Sequence, residues 1–196
     1  MSEIENYLST RKAAELLDVS LRTVQLWVEN GTLVAWKTAG GHRRILMKSV
    51  DKILKQRVES MQQSESDGEL VMVLVEDDKD IRDAYCLSIE MLDLPIKLVT
   101  AENGYDGLLK IGKHLPDIIM TDLMMPNMDG FEMLSAIKHD QTEKSPDIIV
   151  VTALDLQSIK MKKISNSNVN FMKKPVQFEK LEALLRHKLT NMQGVR

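Results

Sequence analysis

A single cysteine, Cys86, stands in a chain of 196 residues, so no intrachain disulfide can form. That scarcity fits a reducing compartment. Cys86, between Tyr85 and Leu87, is expected as a buried thiol in a helix and not as a redox group. No run reaches the roughly 18–20 apolar residues that cross a bilayer. The opening Met-Ser-Glu-Ile-Glu lacks the basic and apolar parts of a secretory signal. Cytoplasmic residence is the expectation by elimination. No second His or Cys lies near His42, which argues against a zinc-type site there.

What remains reads as soluble folded protein, with 43% hydrophobic and 28% charged residues. The length suits one large domain or two small ones. The thirteen methionines are scattered and read as core filler. Charge is uneven along the chain. Residues 1–60 carry ten Lys and Arg against seven Asp and Glu, and the remainder sixteen against twenty-two. A basic first part beside an acidic second part predicts separate tasks.

The most informative stretch runs from Pro116 to Gly130. Ile118 to Thr121 reads as a short buried strand. It stops at an acid, Asp122, and Pro126 and Gly130 then enforce a turn. An acid at the carboxyl end of a buried strand lies where open α/β sheets place their sites. Val71 to Val75 is a second such run and ends in Glu76-Asp77-Asp78. Ile148 to Val151 ends in Thr152, and Val169-Asn-Phe171 leads into Lys173-Lys174-Pro175. Asp78 reads as a helix cap.

With those residues in order, the chain from about Glu69 to Asn191 resembles a two-component receiver domain. The resemblance implies a doubly wound α/β fold with a five-stranded parallel sheet, flavodoxin-like. It makes Asp122 the phospho-acceptor and Glu76 with Asp77 the acidic pair that helps hold Mg2+. It also makes Thr152 the switch hydroxyl, Lys174 the lysine that meets the phosphoryl group, and Phe171 the switch aromatic. The Met124 backbone carbonyl completes the implied metal set, and the Lys174–Pro175 bond is expected to be cis. Charge alone argues for a cation. Two carboxylates ~5 Å apart repel by about 3 kcal/mol at an effective dielectric near 20, and oxygen ligands of this kind suit magnesium.

The N-terminal part predicts two short helices. Ser9 caps the first, Asp18-Val-Ser20 turns the chain, and Leu21 to Glu29 forms the second, ending at Asn30-Gly31. That spacing is a helix-turn-helix. Leu33 to Trp36 and Ile45 to Met47 then read as two strands around Lys37-Thr-Ala-Gly-Gly-His-Arg-Arg44. A glycine-tipped hairpin displaying Lys37, His42, Arg43 and Arg44 suits a phosphate backbone. Over Tyr7 to Leu54 this part resembles MerR-like and excisionase-like winged helix-turn-helix domains. The resemblance puts Leu21 to Asn30 in the major groove of DNA, with Arg22, Thr23 and Gln25 as base-edge readers.

A helix over Val50 to Gln63 closes the domain, with Arg57 interrupting its apolar pattern. The domain layout is thus 1–61 for a small α+β winged helix-turn-helix domain, 62–69 for a polar linker and 70–196 for the receiver. The resemblances together imply a DNA-binding response regulator, phosphorylated on Asp122 by a histidine kinase or phosphotransfer protein and controlling transcription as a homodimer. No enzymatic activity is expected beyond self-phosphorylation and dephosphorylation. A rival reading is an adaptor whose helix-turn-helix grips a protein. A haloacid-dehalogenase-type phosphatase is disfavoured, because Asp122-Leu-Met124 lacks the second acid of that motif.

Overall fold

A computed structural model describes residues 7–137, 145–153 and 169–194, with residues 60–67 and 193–194 described by their backbone alone. The first domain begins with capped helices. Ser9 Oγ accepts from the Lys12 amide at 3.1 Å and so satisfies an orphan donor of α1 (Thr10–Leu17). Asp18, with φ 47°, turns the chain. Ser20 Oγ accepts from the Thr23 amide at 3.0 Å to start α2 (Leu21–Glu29). Gly31, at φ 81°, then takes the left-handed conformation that reverses the chain.

The predicted wing forms. β2 (Ala35–Lys37) and β3 (Arg43–Leu46) pair antiparallel, with Lys37 opposite Arg43 and Trp36 opposite Arg44. The strands sit about two residues from the expected positions, because Leu33 drops into the core and Met47 opens a helix. A third strand, β1 (Tyr7–Ser9), adds to the other edge of β3. Three residues are too few for alternation to reveal. Leu17, Val24, Trp27, Leu33, Ile45 and Val50 form the centre of this domain's core.

The polar linker is a correction. α3 runs from Met47 to Asp67, so most of residues 62–69 continues the helix, and Gly68 at φ 65° ends it. Extending a formed helix adds one hydrogen bond per residue fixed, so a polar sequence does not by itself stop it.

The second domain is β4 (Leu70–Val75), α4 (Lys79–Glu90), β5 (Ile96–Ala101), α5 (Gly104–His114), β6 (Ile118–Asp122), α6 (Gly130–Ala136), β7 (Asp147–Thr152), β8 (Val169–Lys173) and α7 (Phe178–Gly194). Its five strands are parallel in the order β5-β4-β6-β7-β8. Every residue of β4 and β6 is buried, which is why both read as continuous apolar runs. Alternate residues feed two cores. Val73, Val75, Ile119 and Val150 meet Leu108 and Met133, while Met72, Leu74, Met120 and Val151 meet Ile89, Leu181 and Leu185.

The two domains are docked. Leu26 of α2 joins the receiver core, and Leu109 of α5 packs against the helix-turn-helix core. Thr23 Oγ1 donates to the Ala136 carbonyl at 3.0 Å. Gly112 lies against the Trp27 ring, which a Cβ there would overlap. Arg57, 6% exposed, donates from Nη1 to the Leu17 carbonyl at 2.6 Å and from Nε to the Gly112 carbonyl. Both acceptors lie in final helical turns, where the macrodipole is negative. Burial pulls the Arg57 pKa down to about 10 against the attraction of Asp18, so it stays cationic at neutral pH. Arg57→Ala is expected to cost about 2 kcal/mol, since two carbonyls lose a charged donor. Urea unfolding should then show the two domains melting apart, where the parent chain melts as one unit.

Candidate functional site

The switch point of the sheet lies between β4 and β6, the strands from which the chain winds to opposite faces. Both end in acids. Glu76 is 2% and Asp122 7% exposed, and Asp77 is half-buried beside them. One carboxylate oxygen from each lies within 4.8 Å of the others. Lys174, just beyond β8, reaches in. Its Nζ lies 2.6 Å from Asp122 Oδ2 and 2.8 Å from Glu76 Oε2. The Lys174 amide donates to the Thr152 carbonyl at 2.9 Å, and the Lys174–Pro175 bond is cis.

Electrostatics follow from this crowding. Burial pushes the Glu76 carboxyl above its ordinary pKa, and Lys174 offsets only part of that. For Lys174, burial pulls down, yet the hydrogen bonds to Asp122 and Glu76 outweigh it and the net shift is upward. Three acids against one ammonium leave the pocket short of positive charge. The donor set is all oxygen, which fits a hard divalent ion such as Mg2+.

The surrounding backbone fixes Asp122. Asp122 Oδ1 accepts from the Met124 amide at 3.0 Å, which puts the Met124 backbone beside the cluster. Gly130, opening α6, donates to the Leu123 carbonyl at 3.0 Å and packs so close that a Cβ would overlap the Asp122 carbonyl. Asp78 caps α4, accepting from the Asp80 and Ile81 amides. Arg82 ties down the acidic loop, its Nη1 lying 2.7 Å from the Glu76 carbonyl. Nothing in the sequence singles out Arg82 beyond its place one turn into the helix after the acids.

Thr152 is fully buried at the end of β7, and Phe171 stands on β8 with 37% exposure. The receiver resemblance also implies a helix after Thr152, and residues 154–168, where it would fall, lie outside the described residues.

The basic residues of the first domain are placed less uniformly. Lys37 and His42 are exposed on the wing, whose loop is closed by the Thr38 amide donating to the His42 carbonyl at 2.9 Å. Arg43 pairs with Glu29 at 2.9 Å, and Arg44 is half-buried opposite Trp36. Arg22 is exposed and Gln25 half-buried. Thr23 is the exception and a correction. It is 2% exposed and spends its hydroxyl on Ala136, so in the docked arrangement it reads no base.

Comparison with known proteins agrees with this division. Residues 72–186 match the response regulator receiver domain, and residues 7–58 match a helix-turn-helix domain. Response regulator PleD of Caulobacter vibrioides is 34% identical over 94 residues, 46% of this chain and 21% of that protein. Protein PilG of Pseudomonas aeruginosa is 32% identical over 119 residues, covering 61% of this chain and 86% of its own. Transcriptional regulatory protein AfsQ1 of Streptomyces coelicolor is 33% identical over 115 residues, 59% and 49% of the two chains. The matched span is thus about a fifth of PleD and about half of AfsQ1. Among solved structures, the N-terminal domain of an uncharacterized Wolinella succinogenes protein shares 30% identity at a TM-score of 0.57, covering 65% of this chain and 99% of that one. Vibrio cholerae CheY4, at 24% identity and a TM-score of 0.52 over 61% of this chain and 98% of its own, shows the same fold. Among the described residues no helix is long and apolar enough to cross a membrane. A receiver match over more than half of the chain, on a sheet with its acids gathered at the switch point, means that the chain belongs to the response regulator receiver family and carries a helix-turn-helix domain ahead of the receiver.

Proposed function

We propose that this chain is a DNA-binding response regulator that accepts a phosphoryl group on Asp122 and thereby controls transcription. The observation that carries this reading is the convergence of Asp122, Glu76, Asp77 and Lys174 at one strand-end pocket, in a chain that also presents a basic wing. A histidine kinase or phosphotransfer protein is the donor. The P–N bond of its phosphohistidine breaks as a P–O bond forms to an Asp122 oxygen. The chain is otherwise no enzyme, beyond catalysing its own phosphorylation and hydrolysis.

The chain's own residues supply position and charge, which is most of what phosphoryl transfer needs. The Met124 amide holds Oδ1 and so orients the carboxylate for attack. Lys174, already on Oδ2, balances charge on the arriving phosphoryl oxygens. Asp77, Asp122, Glu76 and the Met124 carbonyl would hold Mg2+, which supplies further positive charge to those oxygens when bound. The Thr152 hydroxyl and Phe171 then act as the switch pair.

On the DNA side, a winged helix-turn-helix of MerR or excisionase type places the first turn of α2, with Arg22 and Gln25, toward the major groove. Lys37, His42, Arg43 and Arg44 follow the phosphates. A homodimer suits two-fold DNA sites.

Incubation with a small phosphodonor and magnesium tests the phosphoryl reading. One alkali-labile phosphoryl group per chain is expected, and none for Asp122→Asn; labelling of that variant at the parent level would sink the assignment. On the wing, replacing Arg43 and Arg44 with alanine should weaken duplex binding and flatten the log K against log salt slope by about 2. An unchanged slope would point to the adaptor reading. That second reading has one observation in its favour, because α2 already uses Thr23, Leu26 and Trp27 on a protein surface.

A further inference from the structure

We propose that Arg82 is a positioning residue for the acid pocket, holding the backbone of Glu76 and Asp77 so that their carboxylates stay gathered with Asp122 for a divalent ion. The proposal rests on the phosphoryl-accepting reading above and deepens it, by naming what sets the pocket's affinity for Mg2+.

Glu76, Asp77 and Asp78 lie between the end of β4 and the start of α4, where neither a strand ladder nor a helix fixes the peptide units. Arg82 is the fourth residue of α4. Helical side chains lean toward the N-terminus, so its guanidinium reaches back over this loop. Nη1 lies 2.7 Å from the Glu76 carbonyl and 3.4 Å from the Asp77 carbonyl. The Arg82 amide donates to the Asp78 carbonyl at 2.9 Å. One residue thus meets three consecutive carbonyls. On its other side the loop is tied to the sheet, where the Glu76 amide donates to the Ala101 carbonyl at 3.1 Å.

This hold matters because the acids repel one another. Lys174 grips the Glu76 and Asp122 carboxylates directly, but among the described residues no cation pairs with the Asp77 carboxylate. Asp77 is kept beside the other two by its backbone. Unheld peptide units would rotate and let the acids spread, which relieves the repulsion and takes the metal site apart. A charged donor makes a stronger hydrogen bond than a neutral one, and a planar guanidinium keeps its direction where an ammonium rotates.

Arg82 does this without serving as the acids' counter-charge. The charges that bear most on Glu76 are Lys174 and Asp122. By charge alone an arginine near the pocket repels a divalent ion, so its removal would tighten binding. Positioning predicts the opposite sign. Arg82 is half-buried and also borders an open polar hollow with Thr100, Glu102 and Lys110, so removing the guanidinium leaves room for water and no void in the core.

Calorimetric titration of Mg2+ into the full-length, unphosphorylated chain tests this for the parent, Arg82→Met and Arg82→Lys, each well below its unfolding transition. The Mg2+ dissociation constant is expected to rise at least about tenfold in Arg82→Met, the scale of losing an outer partner of a metal ligand, and less in Arg82→Lys. Labelling by a small phosphodonor should split the same way. Arg82→Met should need more Mg2+ to reach half its maximal rate, with that maximum near the parent's. Unchanged or tighter Mg2+ binding in Arg82→Met overturns the proposal; if that variant does not fold, the same result in Arg82→Lys does. A lowered maximum at an unchanged half-saturating Mg2+ concentration overturns it as well. Weakened Mg2+ binding in chains that never take a phosphoryl group would keep Arg82 in its role and sink the phosphoryl-accepting reading alone.

Discussion

Lys174→Met is expected to destabilise the magnesium-free protein by about 3 kcal/mol. Its ammonium is the shared partner of the buried carboxylates of Glu76 and Asp122. Removing one member of such a cluster leaves buried negative charge uncompensated, and that desolvation is what the figure measures. Magnesium should recover much of the loss. An ion that binds the folded state alone stabilises by mass action, and the variant has more unbalanced charge for it to neutralise. Urea unfolding with chelator and with millimolar magnesium checks this. A variant as stable as the parent in chelator would show that the acids are relieved some other way.

The same cluster sets a pH dependence. A carboxyl whose folded pKa is raised binds its proton more readily in the folded than in the unfolded chain. Glu76, raised by burial, therefore favours folding as pH falls toward the ordinary carboxylate range and weighs against it as pH rises through its elevated value. Lys174 acts in the other region. Its stabilisation is full below an ordinary lysine pKa and is lost only as pH rises through its still higher folded value. The deficit of Lys174→Met should accordingly shrink on acidification, once Glu76 is neutral.

Gly130→Ala is the second large effect, with about 3 kcal/mol of destabilisation and loss of phosphoryl acceptance. What a Cβ meets there is backbone, the Asp122 carbonyl and Leu123 Cα, 2.9 Å away. Backbone in a strand end cannot rotate aside as a side chain can, so the loop carrying Asp122 must shift. Gly112 offers the contrast. Its crowding neighbour is the Trp27 ring, and separating the domains relieves it. Thermal denaturation of the two variants should therefore show a lowered receiver transition for Gly130→Ala and a largely retained one for Gly112→Ala. Equal receiver losses would contradict this reading of the interface.

Much of the receiver site was legible before any coordinates. Asp122, Glu76, Asp77 and Thr152 each end or follow a buried apolar run, Lys174 follows the more exposed β8, and a parallel sheet carries all such positions to one edge. The caps at Ser9, Ser20 and Asp78 were legible too, because a cap is a local interaction within three residues. The domain docking was not. Thr23 reads as an exposed polar residue of a recognition helix, and its partner Ala136 is 113 residues away. Arg57 gave a visible signal, a charge breaking an apolar stripe, but its carbonyl acceptors lie in two other helices. The linker misled for a different reason. Polar composition does not by itself stop a helix that has already formed, and α3 continues to Asp67.

In the proposed function the state of Asp122 governs duplex binding. The direct measurement is affinity for a selected duplex at two salt concentrations, with and without magnesium and beryllofluoride, for the parent chain and for Asp122→Asn. Salt-dependent binding is expected, in which the phosphoryl mimic changes the parent's affinity and leaves the variant's unchanged. Retention of no duplex at low salt in any state, or an identical response from Asp122→Asn, would contradict it.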